Sequence, residues 1–353
     1  MNSGLPVGVL MDYDYVEKGS ILNGLVGEWR RFDDIAVDLE MEANLHHYGT
    51  HLSLVQVSDG ERVWLVDMLA IDDASSLVSF FEDPSVRKIF HDVSFDFRIL
   101  DQLLDCQPRN VFDTKVAALL LGKDSLSLSG LLHDYFGVEK DEKFQKVDWL
   151  KRPLDPGMLS YAAGDVTHLV QLAHKLEAEL KSRGRWSWFE EEMRVIQGSS
   201  YAVEERSYKD LKGVGRLSDH QRGVLKELYR VREALARKVD RPVFFIMPDK
   251  RLVQLAQDPP RDERAWRSMK GVHPIVKRQA DRFVRALQRA RPVGKPPSSP
   301  KKRLSGRQRQ RLDALLAARD AAAEKYGLEP HLVVTKDQAI RFVTGEEGVL
   351  RKW

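Results

Sequence analysis

Apolar and acidic residues alternate along the run Ile-Ala-Val-Asp-Leu-Glu at 35–40, and this period of two predicts a buried β-strand. Successive side chains of a strand point to opposite faces, so Asp38 and Glu40 lie on one face and the bulkier apolar residues on the other. The strand therefore presents two carboxylates side by side near its end.

The apolar pattern of the first 200 residues predicts strands and helices in a mixed order. Strands are expected at 52–57 and 62–66, joined by a hairpin turn at Asp59-Gly60, and again at 87–90 and 111–112. Helices are expected near 73–82, from Asp96 onward, and from Asp155-Pro156, where an N-cap residue precedes a proline at the first helical position. Asp113 is expected to cap a helix. This order is typical of an α/β domain.

Further candidate chemistry lies on two of these helices. Tyr161 and Asp165 are four residues apart, which places them next to each other on one helix face. Asp96 lies in the first turn of its predicted helix. Together with Asp38 and Glu40 they form a candidate cluster of four acids and one tyrosine.

Converging carboxylates raise one another's pKa unless a cation lies between them. Hard divalent ions prefer oxygen ligands, and two such ions stabilise both the attacking and the leaving oxygen of a phosphoryl displacement. The cluster therefore favours a site for metal ions that act on a phosphodiester.

The order and the surroundings of these residues resemble a known family. Asp38-Leu39-Glu40, the run from His91 to Asp96, and Tyr161-Ala162-Ala163-Gly164-Asp165 resemble the three exonuclease motifs of the DEDD superfamily of 3′→5′ exonucleases. The run at 148–154 (DWLKRPL) is similar to that of the ribonuclease D family in particular. Ser160 stands where the histidine branch has its histidine, so Tyr161 indicates the tyrosine branch.

The resemblance implies a ribonuclease H-like exonuclease domain, a mixed sheet flanked by helices, followed by all-α bundles. It implies a 3′→5′ exoribonuclease that uses two Mg²⁺ or Mn²⁺ ions and releases nucleoside 5′-monophosphates, in the 3′ maturation of tRNA precursors or other structured RNA. Asp38, Glu40 and Asp165 would hold one ion, and Asp38 would bridge to a second supported by Asp96. Glu40 and Tyr161 would orient the attacking water.

Charge is divided sharply along the chain. Residues 1–200 carry 20 Lys+Arg against 34 Asp+Glu, a net charge of −14, whereas residues 201–353 carry 36 against 19, a net charge of +17. Such asymmetry favours a basic half that binds phosphate backbones without reading sequence. The candidate RNA-contacting residues are Met41, Lys143, Gln145, Arg222, Lys226, Arg230 and Arg237.

The basic half contains an internal repeat. Arg216-Leu217-Ser218 with Gln221 recurs 87 positions later as Arg303-Leu304-Ser305 with Gln308. Both copies resemble the helicase-and-ribonuclease-D C-terminal (HRDC) domain, and the second lacks a counterpart of the last helix. We therefore predict an exonuclease domain at 1–204, an HRDC domain at 205–292, a linker at 293–302 and a second, incomplete HRDC-like repeat at 303–353.

Cysteine content and the absence of certain motifs limit the functions that we expect. The chain has one cysteine, Cys106, and no signal-peptide pattern or long apolar run, so we expect a cytoplasmic monomer that has no membrane contact. The phosphate-binding loop of helicases is absent, so no nucleotide cofactor is expected. Two alternatives stay open: a DNA-directed 3′→5′ exonuclease, which would use the same five residues, and a catalytically silent RNA-binding scaffold.

Overall fold

The computed structural model describes residues 12–140, 143–202, 206–295 and 304–352. These residues form two compact units. The first contains the described residues within 1–40, 52–202 and 302–353, and the second contains those within 41–51 and 203–301. The chain therefore passes from one unit to the other four times. Residues 296–303, which include most of the predicted linker and Arg303 of the repeat, lie outside the described residues.

A six-stranded mixed sheet provides the frame of the first unit. Its spatial order is β1-β4-β3-β2-β5-β6; β1 is parallel to β4, β3 is antiparallel to β4, and β2, β5 and β6 run parallel. The strands are β1 Asp14–Val16, β2 Asp34–Ala43, β3 Thr50–Ser58, β4 Val63–Asp67, β5 Arg87–Phe90 and β6 Val111–Asp113. The strands predicted at 52–57, 62–66 and 87–90 are confirmed.

Helices accompany the strands of the first unit. They are α1 Gly19–Trp29, α2 Ser75–Phe81, α3 Ser94–Leu104, α4 Thr114–Leu121, α5 Leu128–Phe136, α6 Pro156–Val166, α7 Leu169–Ser182 and α8 Trp186–Gln197. The helical spacing of Leu169, Leu172 and Leu176 predicts that the helix from Asp155-Pro156 continues past Asp165 as one element, and this is wrong. The helix ends at Val166, and α7 begins at Leu169 after His168 leaves the helical conformation.

Local polar residues explain where several elements begin. Asp59 accepts hydrogen bonds from the amides of Glu61 and Arg62 at 2.9 and 2.7 Å, which stabilises the turn between β3 and β4. Asp155 accepts one from Gly157 N at 2.7 Å and so caps α6, whose first residue is a proline. The predicted hairpin turn and the predicted start of this helix are both confirmed.

The second unit is a helical bundle around α9 Asp219–Val239. Its other helices are α10 Val243–Ile246, α11 Asp249–Gln257, α12 Glu263–Arg267, α13 Pro274–Arg278 and α14 Ala280–Arg289, with 3₁₀ turns at Tyr208–Asp210 and Val214–Arg216. Leu225, Leu228, Trp266 and Phe283 lie in its apolar core. The segment 41–51 packs on this bundle, where Tyr48 contacts the core and donates a hydrogen bond to Glu233 at 3.2 Å.

The remaining helices, α15 Gly306–Tyr326, α16 Pro330–Val333 and α17 Lys336–Val343, belong to the first unit. Ser305 and Gln308 form a capping box at the start of α15, as Ser218 and Gln221 do for α9. Arg351 makes an ion pair with Glu192 of α8 at 2.5 Å. In the part of the chain that the structure describes, no helix is long and apolar enough to cross a bilayer.

Candidate metal-dependent nuclease site

Strand β2 delivers the first two carboxylates. Ile35, Val37 and Leu39 are buried on one face of the strand, and Asp38 and Glu40 are half-buried on the other. The alternation read from the sequence is therefore present in the fold. It lets the apolar residues fix the strand within the sheet while both acids face the same surface.

Helix α6 brings the third acid to the same place. Carboxylate oxygens of Asp38, Glu40 and Asp165 all lie within 4.8 Å of one another. Asp165 is only 5% exposed, and its Oδ2 is buried with no hydrogen-bond partner among the described residues. A buried carboxylate oxygen without a donor is unusual, because its desolvation is then uncompensated. The oxygen is thus available as a ligand for a cation.

Helix α3 supplies the fourth acid in its first turn. Asp96 is buried, with 6% of its surface exposed. Burial, together with the charges of Asp38 and Asp113, raises the pKa of Asp96 well above its usual range. The charge of Asp38 thus acts on Asp96, but Asp96 is not among the carboxylates that lie within 4.8 Å of one another, and its assignment to the site stays a prediction.

The pKa values of Asp38 and Glu40, the two acids on β2, are raised like that of Asp96. Burial raises the pKa of Asp38 to about 6, although the nearby charge of Lys140 opposes the shift. Burial and then the charge of Asp38 raise the pKa of Glu40 well above its usual range. Burial disfavours the ionised form of both carboxylates, and the charge of Lys140 does not offset this effect. A set of three or four oxygen donors with excess negative charge fits a hard divalent cation.

Asp113 stands beside the cluster but serves the backbone. Its two carboxylate oxygens accept hydrogen bonds from the amides of Asp92, Val93, Lys115 and Val116 at 2.8–3.3 Å. The prediction that Asp113 is a helix cap is confirmed. It also fixes the loop that leads into α3, and so the position of Asp96.

Lys140 is the functional candidate that the sequence did not reveal. Its ammonium group makes an ion pair with Asp165 and lies 4.4 Å from the centre of the Tyr161 ring. Lys140 belongs to the run Glu-Lys-Asp-Glu-Lys at 139–143, where alternating charges are typical of a solvated loop. No pattern in the sequence separates it from Lys143.

A cleft of about 550 Å³ opens beside the carboxylates. Tyr161, Lys140, Lys115 and Gln145 lie along its wall together with Asp38 and Asp165. The Tyr161 ring lies 6.0 Å from Phe144 and 6.2 Å from Trp149, ring centre to ring centre. The cleft therefore combines acids, cations and aromatic rings at one place.

The residues predicted to contact RNA are placed in different surroundings. Gln145 is exposed on the wall of the cleft, and Lys143 is exposed with its ammonium over the ring of Phe144. Met41 is half-buried at the start of the segment that packs with the second unit. These three assignments stay predictions.

The prediction for Arg222 is wrong. This residue is 3% exposed, and its guanidinium donates to the carbonyls of Val293 and Leu217 and to Asp219 inside the second unit. A phosphate could reach it only if these hydrogen bonds broke. Lys226, Arg230 and Arg237, by contrast, are exposed along α9, so a phosphate can reach them.

Comparison with known proteins decides the family. A family model described as 3′-5′ exonuclease matches residues 13–181, and a model of the HRDC domain matches residues 221–287. Ribonuclease D of Pseudomonas paraeruginosa is 31% identical over 314 residues, which cover 88% of this chain and 83% of that protein. The chain belongs to the ribonuclease D family.

Further matches to ribonuclease D proteins support this family assignment. Ribonuclease D of a Shewanella species is 32% identical over 254 residues, and the match spans 70% of this chain and 65% of that protein. The crystal structure of Escherichia coli RNase D, an exoribonuclease involved in structured RNA processing, superposes with a TM-score of 0.74 at 25% identity, covering 95% of this chain and 90% of that one. The predicted fold class, a ribonuclease H-like exonuclease domain followed by HRDC-type helices, is confirmed.

Proposed function

We propose that this chain is a 3′→5′ exoribonuclease that binds two divalent ions, Mg²⁺ or Mn²⁺, and releases nucleoside 5′-monophosphates from the 3′ end of RNA. Its proposed substrates are tRNA precursors or other structured RNA. The observation that supports the activity best is the convergence of Asp38, Glu40 and Asp165 within 4.8 Å. Asp96 is buried, and after burial the charge of Asp38 contributes most to its raised pKa. The family relationship supports RNA as the substrate.

We assign a separate role to each residue of the proposed site. Asp38, Glu40 and Asp165 would hold one ion, and Asp38 and Asp96 would hold the second. Bound ions would stabilise the negative charge that develops on the attacking and leaving oxygens of the phosphodiester. Glu40 and the Tyr161 hydroxyl would orient the attacking water, since Tyr161 lines the cleft with Asp38 and Asp165 and Glu40 lies within 4.8 Å of both acids. Lys140 holds one oxygen of Asp165 and limits the excess negative charge there.

The decisive experiment removes one ligand at a time. Asp38→Asn and Asp165→Asn keep side-chain size but remove charge, so both should lose turnover on a 3′-extended tRNA and lose stabilisation by Mg²⁺ in thermal unfolding. Tyr161→Phe should keep the stabilisation by Mg²⁺ and lose about 100-fold in rate, the scale of a positioned proton-transfer group.

A matched control is Asp101→Asn, because Asp101 lies on the same helix as Asp96 but outside the cluster. It should keep both activity and stabilisation by Mg²⁺. Mononucleotides should be the only early product from a 3′-labelled RNA. Equal rates for Asp38→Asn and the unaltered chain would contradict the metal-site assignment, and faster hydrolysis of a matching DNA would support the DNA-directed alternative.

A further inference from the structure

Two neighbouring aromatic rings are exposed on the second unit. Phe244 and Phe245 are 48% and 52% exposed, whereas Phe283, the other phenylalanine of this unit, is fully buried. Their ring centres are 4.8 Å apart, with an angle of 32° between the ring planes. The apolar run Val-Phe-Phe-Ile-Met at 243–247 would be expected in a core, so the exposure of its two largest residues needs another explanation.

The backbone holds both rings outward. Ile246 and Met247, the next residues, are fully buried in the core of the second unit. The carbonyl of Ile246 accepts a hydrogen bond from the amide of His273 at 3.2 Å, which ties α10 to the loop before α13. Helix α10 is therefore anchored on one side and presents Phe244 and Phe245 on the other.

Exposed arginines lie on the chain segment before the pair and on the helix whose preceding loop bonds to α10. Arg241 is exposed three residues before Phe244 and donates a hydrogen bond to the carbonyl of His46 at 3.2 Å. Arg278 is exposed in α13, which begins directly after His273. Burial, and then the charges of Arg278 and Arg241, lower the pKa of His273. Residues 206–295 as a whole carry 24 Lys+Arg against 10 Asp+Glu.

The acidic residues nearest in sequence are already paired. Asp240 accepts hydrogen bonds from His47 at 2.5 Å and from the amide of Tyr48 at 3.0 Å. Asp249 makes ion pairs with Arg232 at 2.6 Å and with Arg206 at 2.7 Å. The chain segment that carries the rings thus combines exposed apolar side chains with acids that are already paired, within a unit that is net basic. This combination suits a polyanion with exposed aromatic faces.

We propose that Phe244 and Phe245 form a stacking platform for the unpaired bases of a single-stranded RNA segment, whose phosphates contact Arg241 and Arg278. Bases stack on aromatic side chains with little regard to sequence, whereas bases within a duplex are not available to them. A protein partner is the competing occupant, but it would have to match a strongly basic surface. This proposal rests on the proposed function for the identity of the nucleic acid.

The test measures RNA binding by the full chain in buffer without divalent ions, so that the RNA is not hydrolysed during the measurement. An RNA hairpin with a 3′ overhang is compared with the same hairpin without the overhang, by fluorescence anisotropy. The double variant Phe244→Ala with Phe245→Ala should bind the overhang RNA about 10- to 100-fold more weakly and change binding of the blunt hairpin less than about twofold.

Three further variants make the test specific. Phe244→Leu with Phe245→Leu keeps apolar volume and should show the same loss, which separates stacking from folding. Phe342→Ala, at a half-exposed phenylalanine of α17, is the matched control and should bind like the unaltered chain. Arg241→Gln with Arg278→Gln should reduce the salt dependence, which the phenylalanine variants should leave unchanged.

Unaltered overhang affinity in a folded Leu or Ala double variant would overturn the proposal and favour a protein partner. An equal loss for overhang and blunt RNA would overturn it too, since the rings would then not read unpaired bases. If the unaltered chain binds the overhang through these rings but does not hydrolyse RNA when Mg²⁺ is added, the proposed function fails and the platform stands.

Discussion

At the scale of single residues, the clustered acids Asp38, Glu40 and Asp165 can be predicted from the sequence because a strong local pattern places each of them. Asp38 and Glu40 alternate with buried residues, and Asp165 follows a capped helix start by ten positions. Lys140 follows from no such pattern. Its contact with Asp165 arises from the path of a loop, which depends on the whole domain rather than on neighbouring residues.

Lys140 leads to a prediction about metal affinity. Its ammonium group pairs with Oδ1 of Asp165, so a divalent ion at Oδ2 would be repelled by a neighbouring positive charge. Lys140→Met should therefore lower the Mn²⁺ concentration that gives half-maximal thermal stabilisation by about fivefold, the scale of removing one neighbouring charge. Lys143→Met is the control, since Lys143 is exposed and three residues away. Weaker Mn²⁺ binding by Lys140→Met would show that the lysine supports the ion instead.

At the scale of secondary-structure elements, residues typical of turns and helix caps predict correctly where elements begin. The hairpin at Asp59-Gly60, the cap at Asp113 and the start of α6 all follow from residues with strong local hydrogen bonding. The sequence does not predict the end of α6 at Val166, because apolar residues with helical spacing continue beyond it. In the structure the Thr167 hydroxyl donates to the carbonyl of Ala163 at 2.7 Å, and the chain bends before α7.

Arg87 joins three elements and gives a second prediction. From β5 it binds Asp34 of β2 at 2.6 and 2.9 Å and Glu177 of α7 at 2.5 Å. Although burial raises the pKa of Asp34, hydrogen bonds from Arg87 and His174 hold it below its usual value. Arg87→Met should therefore cost about 2–3 kcal/mol of unfolding free energy at pH 7, because it leaves two half-buried carboxylates without this partner.

The pH dependence has a definite sign. A carboxyl group with a lowered pKa stabilises the fold above its unfolded pKa, and this contribution disappears as pH falls through the folded value. The difference between Arg87→Met and the unaltered chain, measured by urea titration, should thus shrink as the pH is taken below about 4. Arg30→Met, which removes a more exposed pair with Asp83 at 3.2 Å, should cost less than about 1 kcal/mol at any pH. A constant Arg87 difference from pH 7 to pH 3 would rule out the charge-based explanation.

At the scale of the whole molecule, the sequence located the basic charge only coarsely. Residues 206–295 have a net charge of +14, whereas residues 304–352 carry 9 Lys+Arg against 7 Asp+Glu, a net charge of +2. The internal repeat made the two segments look alike. The structure separates them, because α15–α17 belong to the unit that contains the sheet. Sequence similarity between the two copies cannot predict which unit each one joins. The matching residues form local capping boxes, and these form in either unit.

The charge distribution predicts which unit sets the salt dependence of RNA binding. Lys226→Gln with Arg230→Gln removes two exposed cations of α9 and should make the slope of log affinity against log salt shallower by about 1.5. Arg307→Gln with Lys336→Gln removes two charges from the nearly neutral segment and should leave the slope unchanged. Binding measured between 50 and 200 mM salt, in buffers without divalent ions, distinguishes the two. An equal decrease for both pairs would place the RNA contacts along the whole basic half.

The four chain passages between the units have a consequence for proteolysis. The second unit is held together by two separate segments, 41–51 and 203–301, and contacts such as the 2.5 Å hydrogen bond between His47 and Asp240 join them. A protease that cuts the chain once between the units would leave the other passages intact. The nicked protein should therefore migrate as two fragments on a denaturing gel but elute as one species from a sizing column. Detaching the basic unit by digestion requires cuts at both ends of both segments, and the segment at 41–51 begins directly after Glu40, a carboxylate of the candidate metal site.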